Sequence, residues 1–186
     1  MGDPVVNGDV ELRRRLEEMT ESGTELSMHR DMLAAISVEL PNTIQPLKSD
    51  LPEKGYTCGM HVFDFSEDPD CINIALRGVC AGPAFFDWLL ANHLLQEVDE
   101  ADAGVDDLIM YFNGGQWKHV GFWKLNGRVE SKWGPALLYN HGQWEVPKFY
   151  GDGARFFRSI SPEDAIEHFV RYAQSCGLRI KWTTEE

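Results

Sequence analysis

The stretch from Asp107 to Trp133 constrains the fold most. Residues 108–112 form a short apolar run and Asn113-Gly114-Gly115 a turn, and residues 119–124 form a second run. Asn126-Gly127 then turns the chain into a third run, residues 128–133. Asn-Gly between two β-prone runs favours a tight hairpin, because both residues tolerate left-handed backbone. Strands joined by turns this short pair with their sequence neighbours. The pattern predicts an antiparallel three-stranded meander.

Helical signals flank it. Leu12, Leu16 and Met19 recur at spacings of four and three, and Met28, Met32, Leu33, Ile36 and Leu40 repeat the pattern before Pro41. Two helices are expected within residues 8–38, at least one packed on the core, because the second stripe would otherwise face water. Pro41, Pro46, Pro52 and Gly55 mark residues 41–55 as a linker or extended loop. Residues 1–50 then form a helical extension and linker, and residues 51–186 the main domain. Helices are expected over 58–65 and over 83–96, the latter with Pro83 near its start and Phe85, Trp88, Leu89 and Leu95 on one face. Residues 155–159 read as a strand. Ser161-Pro162 starts a last helix that buries Ile166, Phe169, Val170 and Ala173. The fold class is α+β.

The chain has 186 residues, six Trp and ten Phe, enough for a well-filled core. Its 17 basic and 30 acidic residues leave a net charge of -13, which argues against nucleic acid and against an anionic membrane surface. No apolar run has the ~20 residues of a membrane span. The acidic start lacks a secretory pattern, and Val6 stands where a myristoylation site wants Ser or Thr. Cys58, Cys71, Cys80 and Cys176 are too few for a disulfide scaffold, so a reducing, cytoplasmic setting is expected, with non-classical export left open. The acidic run Glu97, Asp99, Glu100, Asp102, Asp106 and Asp107 reads as a solvated loop.

Two residues stand out chemically. Cys58 follows a glycine-containing loop and precedes a helix; a helix terminus and a neighbouring imidazole lower a thiol's pKa and make a nucleophile. A free cysteine also serves as a small buried hydrophobe. His119 opens the middle strand, where it can take a thiol proton and return it to a leaving amine. Gly121, two residues on, permits close approach of another element. Cys58 and His61 have Cys-x-x-His spacing, but no second tight pair completes a zinc site, so neither metal nor cofactor is expected. Trp117, Trp123, Trp133, Trp144, Phe149 and Tyr150 read as core and rim packing, or as an aromatic substrate groove.

The order Asp107-Leu108-Ile109-Met110-Tyr111-Phe112, His119-Val120-Gly121-Phe122-Trp123, Asn126-Gly127-Arg128-Val129 resembles the core of NlpC-type papain-fold cysteine peptidases. Ser131-Lys132-Trp133-Gly134, with His141 and Glu145-Val146-Pro147, resembles a poorly characterised bacterial branch of those domains. The resemblance covers roughly residues 55–134. It implies a papain-like fold with Cys58 as nucleophile, His119 as base, and a third polar residue at Ser131, with Glu130 and His141 as alternatives. The family usually has Asp or Asn before the cysteine, where Thr57 stands here, and His, Asn or Gln at the third position. Two functions follow as expectations. One is a cysteine hydrolase, an amidase, peptidase or acyltransferase acting on a peptide or other amide substrate. The other is a catalytically inactive module of the same fold that binds a basic partner protein, steered by the acidic net charge.

Overall fold

The computed structural model describes residues 10–22, 26–48, 57–134 and 137–180. Part of the expected linker, with Pro52 and Gly55, lies outside the described residues. Helices α1 (Val10–Glu21) and α2 (Leu26–Glu39) come first, then a short strand, β1 (Gln45–Pro46). Helices α3 (Cys58–Val62), α4 (Pro69–Leu76) and α5 (Pro83–Ala91) follow, then strand β2 (Glu97–Val98). Strands β3 (Leu108–Asn113), β4 (Gln116–Lys124), β5 (Arg128–Lys132), β6 (Leu138–Gly142) and β7 (Gly153–Phe157) lead to helix α6 (Pro162–Ser175). The strands form one antiparallel sheet in the order β1-β6-β5-β4-β3-β7-β2. The fold is α+β.

The meander β3-β4-β5 sits at the centre of this sheet. Both its turns carry two residues with positive φ, Gly114 and Gly115 at 56° and 80°, Asn126 and Gly127 at 59° and 70°. That backbone matches the right-handed twist of the strands it joins. Two expected helices are shorter than their apolar runs. The one at Cys58 stops at Val62, with Asp64 in the left-handed region at φ 57°. The one at Pro83 stops at Ala91, with His93 at φ 54°. The last strand covers Gly153–Phe157 rather than 155–159, and pairs with β3 on one side and β2 on the other. Helix α4 had a readable start: Pro69 is at its first turn, and Asp68 accepts the Cys71 N–H at 2.8 Å.

Each face of the sheet has its own core. On one, Phe63, Phe65, Phe85, Phe86 and Phe169 pack with Met110, Trp117 and Val120, under α3 to α6. On the other, Leu12, Leu16 and Met19 of α1 and Leu33 and Ile36 of α2 cover Ile109, Tyr111, Val129, Trp133 and Tyr139. Burying each such side chain contributes roughly 1.5–3 kcal/mol. The two N-terminal helices therefore supply one wall of the core. A clamp at the sheet edge ties the following segment down: Glu145 accepts the Thr43 N–H at 2.7 Å, and Arg128 Nε–H donates to Asn140 Oδ1 at 2.7 Å.

The acidic run is only partly a solvated loop. Asp107 is buried, accepting the Gly104 N–H at 2.7 Å and pairing with Arg158 at 2.6 Å. Glu97 pairs with Arg155 at 2.7 Å and Asp106 with Lys124.

Candidate active site

A β-bulge decides where His119 points. Phe112 pairs with Trp117 and Tyr111 with His119, so Lys118 is an extra residue on β4. Without it, Trp117 and His119 would share a face. With it, Trp117 joins the core under α5, where it stacks on Phe86, and His119 turns to the α1–α2 face beside Tyr111. Bulges re-aim side chains in this way and are common beside functional sites.

His119 is fully buried there. Its ring lies flat on Tyr150, with centroids 3.8 Å apart and planes 3° from parallel. Neither ring nitrogen has a hydrogen-bond partner among the described residues, the Cys58 sulfur included. Burial, then the nearby His141 and His61, hold its pKa well below the usual histidine value, so the imidazole is neutral.

Cys58 begins α3, whose cap is Thr57; the Thr57 hydroxyl accepts the Met60 N–H at 3.3 Å. The thiol lies where β5 leaves β4: the two strands pair only through Phe122, Trp123 and Lys124. There the backbone N–H groups of Val120, Gly59 and Cys58 itself favour the thiolate. Close approach at the parting point requires Gly121, since a Cβ there would lie 2.7 Å from Glu130 O and from Ser131 Cβ.

The thiol's acidity runs against the sequence expectation. Burial pushes Cys58 up to about 11, outweighing the three N–H groups and the charge of Lys132. A helix as short as α3 has little dipole to offset desolvation, and a neutral imidazole adds no positive charge. Cysteine and histidine are thus both uncharged at neutral pH. Tyr150 links them: its ring stacks on His119, and its phenol lies within electrostatic reach of the Cys58 sulfur.

The third residue expected behind His119 is occupied elsewhere. Ser131 is fully buried, 2.8 Å from His141 Nε2, and accepts the Trp133 Nε1–H at 3.0 Å. His141 Nδ1 lies 2.8 Å from the Gly142 carbonyl, so that nitrogen carries the proton. Nε2 therefore accepts from the Ser131 hydroxyl, and every polar atom of this trio is used. Burial lowers the His141 pKa to about 4, which keeps this tautomer neutral. Glu130, the other alternative, contacts His61 at 3.3 Å and Lys124 at 3.8 Å. The hydrogen bond to His61, with Lys124 nearby, lowers the Glu130 pKa against burial.

The aromatics on and after the meander serve mainly as core. Trp117, Trp133 and Tyr150 are buried, while Trp123, Trp144 and Phe149 are half-buried against the α1–α2 core. Among the described residues no group of three or more His, Cys, Asp or Glu is arranged to hold a metal ion. No helix among them is long and apolar enough to cross a membrane. Two features of this site were missed in the sequence. The Lys118 bulge has no composition signal, and Tyr150 was one aromatic among several.

Compared with protein-family models, curated proteins and solved structures, the chain matches none.

Proposed function

We propose that this chain is a divergent papain-fold cysteine hydrolase of the NlpC type, cleaving an amide bond of a peptide or other amide substrate through Cys58 and His119. One observation carries the reading: a fully buried imidazole, with both nitrogens unpartnered among the described residues, stacks on Tyr150, whose phenol lies within electrostatic reach of the Cys58 sulfur. Leaving such a group unsatisfied costs about 1–3 kcal/mol and calls for a reason, which a base awaiting a proton supplies.

The Cys58 sulfur attacks the carbonyl carbon as its proton passes to His119. The Cys58 N–H, at the start of α3, helps to hold the oxyanion. The carbon–nitrogen bond then breaks, the amine leaves with the proton from His119, and a thioester remains. Water, deprotonated by His119, releases the acid and restores the thiol; an amine in its place would give acyl transfer. Because both groups start neutral, proton transfer accompanies attack instead of preceding it.

Iodoacetamide labelling of Cys58 tests this. A thiol of pKa near 11 is about one part in ten thousand thiolate at pH 7. With His119 as base, the parent protein labels faster than that fraction allows, and His119→Ala slows it at least ~10-fold. The difference vanishes above pH 11, where the thiolate forms unaided. Equal rates at pH 7 would overturn the reading.

The second function is an inactive papain-fold module that binds a basic partner protein. The raised Cys58 pKa and the commitment of Ser131 to His141 favour it. It requires slow labelling that is indifferent to His119→Ala.

A further inference from the structure

A catalytic imidazole must be held in one orientation. Hydrogen bonds usually do this, from a third polar side chain to the ring nitrogen away from the nucleophile. Here Ser131 is committed to His141 and Trp133, and Glu130 to His61 and Lys124. His119 has no hydrogen bond at either nitrogen among the described residues. What fixes its plane is the face-to-face stack on Tyr150, 3.8 Å away and 3° from parallel.

Tyr150 is itself braced. It sits in the loop 146–151, and both ends of that loop are held by one side chain from α1. Arg13 Nε–H donates to the Val146 carbonyl at 3.3 Å, and a second Arg13 N–H donates to the Gly151 carbonyl. The guanidinium also lies 5.7 Å over the Trp144 ring. Arg13 is buried in making these contacts. Its five donors in a rigid fork suit it to bridging two carbonyls, which a lysine cannot do in the same way. At the far end of the loop, Gly151 has φ 98° and passes so close to β3 that a Cβ would fall 2.1 Å from Phe112 O. The loop therefore has little freedom, and neither does the Tyr150 ring.

We propose that Tyr150 is the positioning residue of His119, orienting the imidazole by ring stacking in place of a hydrogen-bonding third residue, with Arg13 of α1 holding Tyr150 in place. This rests on the cysteine-hydrolase reading. It makes the N-terminal helix part of the active site as well as of the core.

The test uses the full chain and two readouts. One is the iodoacetamide labelling rate of Cys58 at pH 7, with His119→Ala as the reference. The other is the ring-current shift of the His119 ring protons in NMR spectra. Tyr150→Leu, which removes the ring, is expected to lose the upfield shift. It should also slow labelling ~10-fold or more, to the His119→Ala rate, since small misplacements of a catalytic group cost factors of that order. Tyr150→Phe, which keeps the ring and folds with less disturbance, is expected to keep the shift and to rescue the rate. Arg13→Gln should broaden the shift and slow labelling by a smaller factor.

Tyr150→Leu labelling at the parent rate, or Tyr150→Phe as slow as Tyr150→Leu, would overturn the proposal. Failure of the underlying hydrolase reading looks different: the parent itself then labels no faster than His119→Ala, and both ideas fall together.

Discussion

Two buried histidine clusters share the α1–α2 face of the sheet, and they are built in opposite ways. Around His141, Trp133 donates to Ser131, Ser131 to His141, and His141 to Gly142, so every polar atom is paired. Around His119, two ring nitrogens have no partner among the described residues, and the ring is packed between aromatics, stacked face to face on Tyr150 and tilted against Tyr111. A satisfied network rigidifies a core, whereas a partly satisfied one lowers stability unless something else requires it. On the proposed reading, His141 is kept for stability and His119 for chemistry. The resemblance offered His141 as an alternative to Ser131 behind His119; in the structure His141 bonds Ser131 instead, and His119 stands in a cluster of its own.

Substituting each histidine by phenylalanine sharpens this contrast most. His141→Phe leaves the Ser131 hydroxyl and the Gly142 carbonyl without their partner, and should cost roughly 2–5 kcal/mol in urea denaturation. His119→Phe keeps the stack on Tyr150 and removes two unsatisfied atoms, so its stability should equal or exceed the parent's. Equal losses from the two substitutions would break the distinction.

Acid comes next. The folded-state pKa of His141 is depressed to about 4 from an ordinary 6.5. Its contribution is therefore complete above pH 6.5 and lost as pH falls through 4, amounting to roughly 3 kcal/mol. His119, shifted in the same direction, adds to the slope. His141→Gln should flatten the stability curve over this window, and an unchanged slope would count against a buried neutral His141.

Alkali probes the other cluster. Cys58 is raised to about 11 from an ordinary 9, so its contribution is complete below pH 9 and lost as pH climbs through 11. The loss should be about 2–3 kcal/mol and absent in Cys58→Ala. A flat curve in the parent from pH 9 to 11 would mean that the thiol is not desolvated.

The smallest expected effect is at Gly121, where β4 and β5 part. Gly121→Ala brings a methyl within 2.7 Å of backbone and side chain on β5. Overpacking of this kind costs about 1–3 kcal/mol, and here it should also speed Cys58 labelling by widening the gap.

The central strands were legible because two glycine-containing turns and three apolar runs left one arrangement open. Strand β6 was not, since Tyr139-Asn140-His141-Gly142 mixes polar residues into a strand that pairs on both sides. Cys58 at a helix start and Gly121 at a close approach were both readable locally. The partner of Ser131 was not, because it depends on the register of β5 against β6, which sets Val129 opposite His141. Nor was the face of His119, which one extra residue at Lys118 reverses. The sign of the Cys58 shift was misjudged for a related reason: burial is a property of the assembled core, and local sequence shows only the helix end.

The most direct measurement is the iodoacetamide rate at Cys58 at pH 7 in His119→Phe, a variant whose stability should not fall. If His119 is a base kept unpaired for chemistry, the rate drops at least ~10-fold while the unfolding free energy holds or rises. A rate equal to the parent's, in a variant that has lost stability, would make His119 a structural residue like His141 and contradict the assignment.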